Sequence, residues 1–181
     1  MEQVFAPWRI EWIRREETAE EGGCVFCRLP EAAADRENRI VARSEHAFVI
    51  LNNAPYNPGH VMVIPYAHTG DYTDLDDEQL LDHARLKQNT LTALSRAFDP
   101  VGFNVGLNLG ESAGGSIRDH LHTHVVPRWQ GDTNFMPVVS DTTVIVEALE
   151  ETYDHLHAAF ADLDGASVPD DGSAVVFSSE S

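Results

Sequence analysis

The run His120-Leu121-His122-Thr123-His124-Val125-Val126-Pro127-Arg128-Trp129 constrains this chain more than any other stretch. Three histidines alternate with other residues, and in a strand side chains repeat with a period of two. His120, His122 and His124 then share one face, about 6–7 Å apart at a rise of roughly 3.3 Å per residue. Leu121, Thr123 and Val125 take the other face and suit packing. Three imidazoles make a poor core, because every ring carries two nitrogens that need partners. Such a face suits a metal site, a nucleophile with supporting groups, or both.

The rest of the chain supplies a frame for that strand. Ile40-Val41-Ala42 and Ala47–Leu51 read as strands joined by Ser44-Glu45-His46, and His60–Pro65 and Val101–Leu109 as two more. Asn52 to Gly59 is rich in Asn, Pro and Gly and reads as a loop. Asp76 or Asp77 caps a helix running to about Phe98, with Leu80, Ala84, Leu91, Leu94 and Phe98 at helical spacing. Asp99-Pro100 stops it. A second helix begins near Asp141 or Thr142 and runs to about Phe160, with Ile145, Leu149, Thr152, Leu156 and Ala159 inward. About five strands, one main helix and a C-terminal helix predict an α+β fold, an antiparallel sheet with a helix on one face. The organisation is then an N-terminal arm (1–23), a central domain (24–137), a C-terminal helix (138–163) and an acidic flexible tail (164–181) with room for a short strand at Val175-Val176-Phe177. In the arm, Pro7 opens a short helix that places Trp8 and Trp12 on one side.

Charge narrows the function classes. Thirty acidic against 12 basic residues give a net charge of −18. The acids are spread along the chain, as on a halophilic surface built for a high-salt cytoplasm. This argues against the usual basic nucleic-acid groove. No apolar run reaches the roughly 18 residues of a membrane span, and no secretory signal is visible. The expected location is the cytoplasm.

Two cysteines, Cys24 and Cys27, stand as Cys-Val-Phe-Cys. At this spacing they are half of a zinc site or a redox pair. The loop Gly110–Ser116, just before the histidines, lets backbone N–H groups converge on an anion, and Ser116 adds a hydroxyl. A neutral imidazole attacks phosphorus well, which splits one substitution into two. The middle of the row is best placed for this, with His124 and His60 to orient groups or carry protons. That step requires no metal.

His120–Val126 resembles the histidine triad pattern, His-x-His-x-His followed by two apolar residues. Ala47 to His60, ending Pro-Gly-His, and Gly102-Phe103-Asn104 through Ala113-Gly114 are similar to the same superfamily. Gly106–Gly110, Ser112–Ser116 and Val125–Trp129 are most similar to its branch of diadenosine tetraphosphate phosphorylases and Fhit-like dinucleoside polyphosphate hydrolases. The resemblance covers about residues 24–137 and implies a homodimer with two sheets joined edge to edge. It implies that His122 is the nucleophile forming a nucleotidyl-histidine, supported by His124, His60 and His120. It places Asn52 at the ribose and Asn108, Gly115 and Ser116 at the phosphates, although Gly115-Ser116 stands where many relatives have Gln. Trp129 is a candidate wall of the same pocket. Cys24, Cys27, His68 and His120 match a structural zinc site, which leaves His120 with two assignments.

The function expected is cleavage of diadenosine tri- or tetraphosphate at the α-phosphate, by hydrolysis or phosphorolysis. The alternatives are an adenosine phosphoramidase, or a nucleotide-binding signalling module with little catalysis. His83, His155 and His157 fall on helices and read as surface or satisfied core.

Overall fold

The structure is a computed structural model that describes residues 23–113, 117–132 and 148–178. The arm with Trp8 and Trp12, the loop residues Gly115 and Ser116, the turn at Thr133-Asn134 and the start of the second helix near Asp141 lie outside the described residues.

Among the described residues seven strands form one sheet: β1 (Ile40–Arg43), β2 (Ala47–Leu51), β3 (Val61–Pro65), β4 (Gly102–Gly106), β5 (Thr123–Arg128), β6 (Ala166–Ser167) and β7 (Val175–Phe177), in the order β4-β5-β3-β2-β1-β7-β6. The α+β class is as expected, but two strands exceed the expected five. The extra pair comes from the segment read as a tail. The sheet is also mixed, because β7 runs parallel to β1.

Alternation along the central strands gives the sheet two unlike faces. Ala47, Val49, Leu51, Val61, Val63 and Val125 point to one side. There they pack on α2 (Asp77–Phe98) and α3 (Leu149–Ala161) through Leu86, Leu94, Tyr153, Leu156 and Phe160. Helix α2 starts at a capping box, in which Asp76 accepts from Gln79 N–H and the Gln79 side chain accepts from Asp76 N–H. It ends at Asp99 in the left-handed conformation. Of the inward set expected for the second helix, Thr152, Leu156 and Ala159 are buried. Phe48, Ile50, Met62 and Ile64 point to the other side, against Phe26 of the short helix α1 (Val25–Glu31). The functional residues gather on this second face.

The C-terminal strand is fastened by a buried carboxylate. Asp35 accepts from Arg43 Nε at 3.0 Å and from the Ala174 N–H at 3.1 Å. Arg43 also donates to the Pro30 carbonyl (2.9 Å) and the Tyr66 hydroxyl (3.0 Å). One ion pair therefore ties β7, the end of α1 and the segment after β3 together. Removing one partner of a buried pair leaves the other uncompensated, so Asp35→Ala should lower stability by about 3 kcal/mol. Urea unfolding measures this, and a loss under about 1 kcal/mol would show that the clamp does not hold β7.

Candidate active site and metal centre

Pro65 shapes the site. The β3–β5 ladder pairs Val61, Met62 and Val63 with Val125, His124 and Thr123, and then stops. Pro65 has no N–H to continue it. The incoming chain bonds elsewhere: Leu121 N–H donates to the Thr69 carbonyl (2.8 Å), and His120 Nε2–H donates to the Pro65 carbonyl (2.8 Å). His120 and His122 therefore precede β5, and only His124 lies in the ladder. This corrects the expectation of a single three-histidine strand. Period-two alternation still turns the rings of His122 and His124 to the same side, with centroids 5.1 Å apart.

Partners that can only donate or only accept fix the proton on each ring. The His120 carbonyl only accepts, so His122 Nδ1, 2.9 Å away, carries the hydrogen. Neutral His122 then has its basic lone pair on Nε2. Tyr56 N–H only donates, so His60 Nδ1, 3.1 Å away, is the acceptor. The His60 hydrogen sits on Nε2 and is given to His124 Nδ1 at 3.0 Å. His124 therefore presents an Nε2–H. The result is a nucleophilic nitrogen beside a hydrogen-bond donor, both set by backbone.

The loop between β2 and β3 is built to hold His60. Asn52 N–H donates to the His60 carbonyl, and the Asn52 side-chain oxygen accepts from Ala54 N–H. Tyr56 stacks on the His60 ring at 5.0 Å. Gly59 has φ +73°, and a Cβ there would press on Phe98 and Leu94 at 3.1–3.2 Å, so the turn into His60 requires glycine. At the loop's far side Asn57 donates to the Pro127 carbonyl (3.0 Å) and to Asp132 (2.9 Å). Asp132 also takes the Arg128 guanidinium, which, with the Trp129 N–H, holds its carboxyl below the usual range. Sequence reasoning missed Asn57 and Asp132. The signal for Asn57 was its place in Asn-Pro-Gly-His; nothing local marks Asp132.

Cys24, Cys27, His68 and His120 come together with their ligand atoms all within 4.8 Å of one another. His120 Nδ1 lies 3.3 Å from Cys24 Sγ and 3.6 Å from Cys27 Sγ, and His68 Nδ1 lies 3.4 Å from both Cys27 Sγ and His120 Nδ1. A tetrahedral ion with bonds of about 2.0–2.3 Å separates its ligands by roughly 3.3–3.8 Å, and these four separations fall in that range, so the cluster could hold a metal such as zinc. The proton inventory agrees. His120 spends its hydrogen on Pro65, which turns a lone pair to the centre. Burial holds His120 below its ordinary pKa, and His68 pushes the same way, which keeps the ring neutral as a ligand must be. His68 Nε2 faces Asp119 at 3.8 Å, a carboxylate behind a ligand ring. Burial, followed by Cys24, pushes the Cys27 thiol up to about 11, and a coordinated cation is what deprotonates such a thiol. His46 stays apart; its backbone N–H donates to Asp82.

The metal cluster and the histidine site share a wall. Phe26, between the two cysteines in sequence, has its ring 5.6 Å from that of His120 and 5.4 Å from that of His122. Asn108 is exposed just past β4, whose last residue Gly106 pairs with His124. Asn52 is buried beside His60. Trp129 is half-buried past the far end of β5, about 20 Å along the extended chain from His122. The structure does not bring it to the histidines.

A family model described as the HIT domain matches residues 33–131, more than half of the chain. An AP-4-A phosphorylase of Mycobacterium tuberculosis is 37% identical over 158 residues, covering 84% of this chain and 80% of that protein. Among solved structures, a Zn-bound histidine triad family protein of Mycobacterium smegmatis superposes with a TM-score of 0.63 at 31% identity, covering 78% of this chain and 96% of that one. A hypothetical histidine triad nucleotide-binding protein of Sulfolobus tokodaii gives 0.64 at 26% identity, covering 78% and 95%. The chain belongs to the histidine triad (HIT) family. Within it, the chain is a nucleotide hydrolase or nucleotidyltransferase. No helix among the described residues is long and apolar enough to cross a membrane.

Proposed function

We propose that the protein cleaves diadenosine tri- or tetraphosphate at an α-phosphate through a nucleotidyl-His122 intermediate, with inorganic phosphate as the second acceptor. The observation that carries this reading is the His122 Nδ1–H bond to the His120 carbonyl, which turns the Nε2 lone pair outward. Nε2 attacks the α-phosphorus, a P–N bond forms, and the P–O bond to the leaving nucleotide breaks. The Nε2–H of His124, set through His60, stabilises charge on the transferring phosphoryl group and its leaving oxygen. An acceptor oxygen then attacks phosphorus, the P–N bond breaks, and His122 is regenerated.

In this reading Asn52 and Asn108 contact the ribose and the phosphates. Gly115 and Ser116 keep the phosphate role implied by the resemblance. Bound zinc would join α1 to the chain before β5 and supply no chemistry to the phosphoryl transfer. The homodimer is proposed at the β4 edge, where Val105 and Leu109 are exposed. Phosphate is favoured as acceptor by the likeness to a protein named AP-4-A phosphorylase.

A substrate panel with and without phosphate tests the proposal. Diadenosine tetraphosphate should give ATP and ADP, and the ADP should form only when phosphate is added. AMP in place of ADP would assign water as the acceptor. Cleavage of adenosine phosphoramidates alone would move the substrate class. Tight nucleotide binding without any turnover would end the enzyme reading.

A further inference from the structure

Beneath the histidines, on the opposite face of the sheet, lies a fourth buried imidazole that the proposed chemistry does not use. His83 sits on α2 and is 2% exposed. Its Nε2 is 3.2 Å from Thr123 Oγ1 and 3.4 Å from the Val63 carbonyl. Its Nδ1 is buried without a hydrogen-bond partner among the described residues. Because the Val63 carbonyl can only accept, the hydrogen of neutral His83 is on Nε2, shared between that carbonyl and the threonine oxygen. A leucine would fill the space with no orphaned nitrogen, so packing alone does not account for an imidazole here.

The two partners explain its place. Thr123 is the residue between His122 and His124, and it is itself 3% exposed. Val63 and Thr123 form the last pair of the β3–β5 ladder before the chain departs toward Pro65 and Thr69. His83 thus grips both strands at the position where the histidine row leaves the sheet. A shift of Thr123 moves His122 and His124 together, since one peptide bond joins it to each.

We infer that His83 is a positioning residue for phosphoryl transfer, fixing the backbone between His122 and His124 through Thr123 and Val63. The inference rests on the proposed function for its kinetic readout, but not for its spectroscopic one.

The test uses full-length protein carrying His83→Leu, His83→Gln or Thr123→Val. Glutamine can return an N–H near the Nε2 position; leucine cannot. With diadenosine tetraphosphate and phosphate, His83→Leu and Thr123→Val should each lower kcat about tenfold with KM within about twofold, since a small displacement penalises the transition state most. His83→Gln should recover most of kcat, and the Leu/Val double variant should be no worse than either single. Long-range nitrogen NMR of the imidazoles should show moved His122 and His124 signals in His83→Leu. Unchanged kcat in folded variants, with only a lowered melting temperature, would reduce His83 to packing. If His83→Leu does not fold, Thr123→Val carries the test. If wild type turns over no nucleotide, the functional reading fails by itself; unmoved His122 and His124 signals would then overturn the positioning role independently.

Discussion

His122→Ala should leave turnover of diadenosine tetraphosphate about 10⁴-fold or more below wild type, with nucleotide affinity largely kept. The size follows from the pathway: without Nε2 there is no P–N bond and no second step, so no partial mechanism remains. His124→Ala should lose less, about 10²–10³-fold, because it removes a donor rather than the nucleophile. Steady-state kinetics with both variants, after a check of folding by circular dichroism, separate the two roles. Brief incubation of wild type with labelled substrate should trap a nucleotide bonded to the protein through an acid-labile link, absent from His122→Ala. If His122→Ala kept a tenth or more of the wild-type rate, the covalent pathway would be wrong.

Cys24→Ser should cost the protein its metal and much of its stability. Protein purified without chelator is expected to carry about one zinc per chain, and the variant close to none. The chain has its own hydrophobic core, so the loss is far below that of an isolated zinc finger. A fall of about 4 kcal/mol, roughly 10 °C in melting temperature, is expected for a domain of this size. Elemental analysis and calorimetry measure both. Wild type that carries no metal when purified without chelator, and melts at the same temperature as the variant, would refute the site. A second effect should follow from shared parts. His120 offers its ring to the metal and its carbonyl to His122, and Phe26 on the metal helix touches the His122 ring. Loss of zinc should therefore lower kcat as well, through displacement of the nucleophile.

The sequence carried the local half of this molecule. Alternation told which face His122 and His124 share, because side-chain direction is a property of two neighbouring residues. The place where the ladder ends was not legible there, because it depends on Pro65 and on the Thr69 carbonyl some fifty residues earlier. Strand β7 was legible only as room for a short strand in a flexible tail, and its place in the sheet was not, for a similar reason. Val175-Val176-Phe177 is short and lies in polar surroundings, and its ladder depends on β1 and on Asp35, which caps the Ala174 N–H. Asn57 and Asp132, 75 residues apart, meet only after folding. The Cys24/Cys27 pair was readable as half a site by spacing. His68 and His120 entered through the resemblance rather than through spacing, and the fold brings both to the cysteines. His83 looked like an ordinary helix residue, and only its orphaned nitrogen beneath Thr123 sets it apart.

The two margins of the sheet are unequal. At one, β6 is two residues long and shields β7; at the other, five-residue β4 has no further strand beside it among the described residues. A strand that short offers little template for another chain. Among the described residues, sheet growth between copies would therefore have one margin per molecule to use, and growth through that margin alone would stop at two copies rather than run on into a fibre. A chain that lost β6 and β7 would bare β1 as a second margin, and its characteristic fault would be open-ended aggregation rather than simple loss of activity.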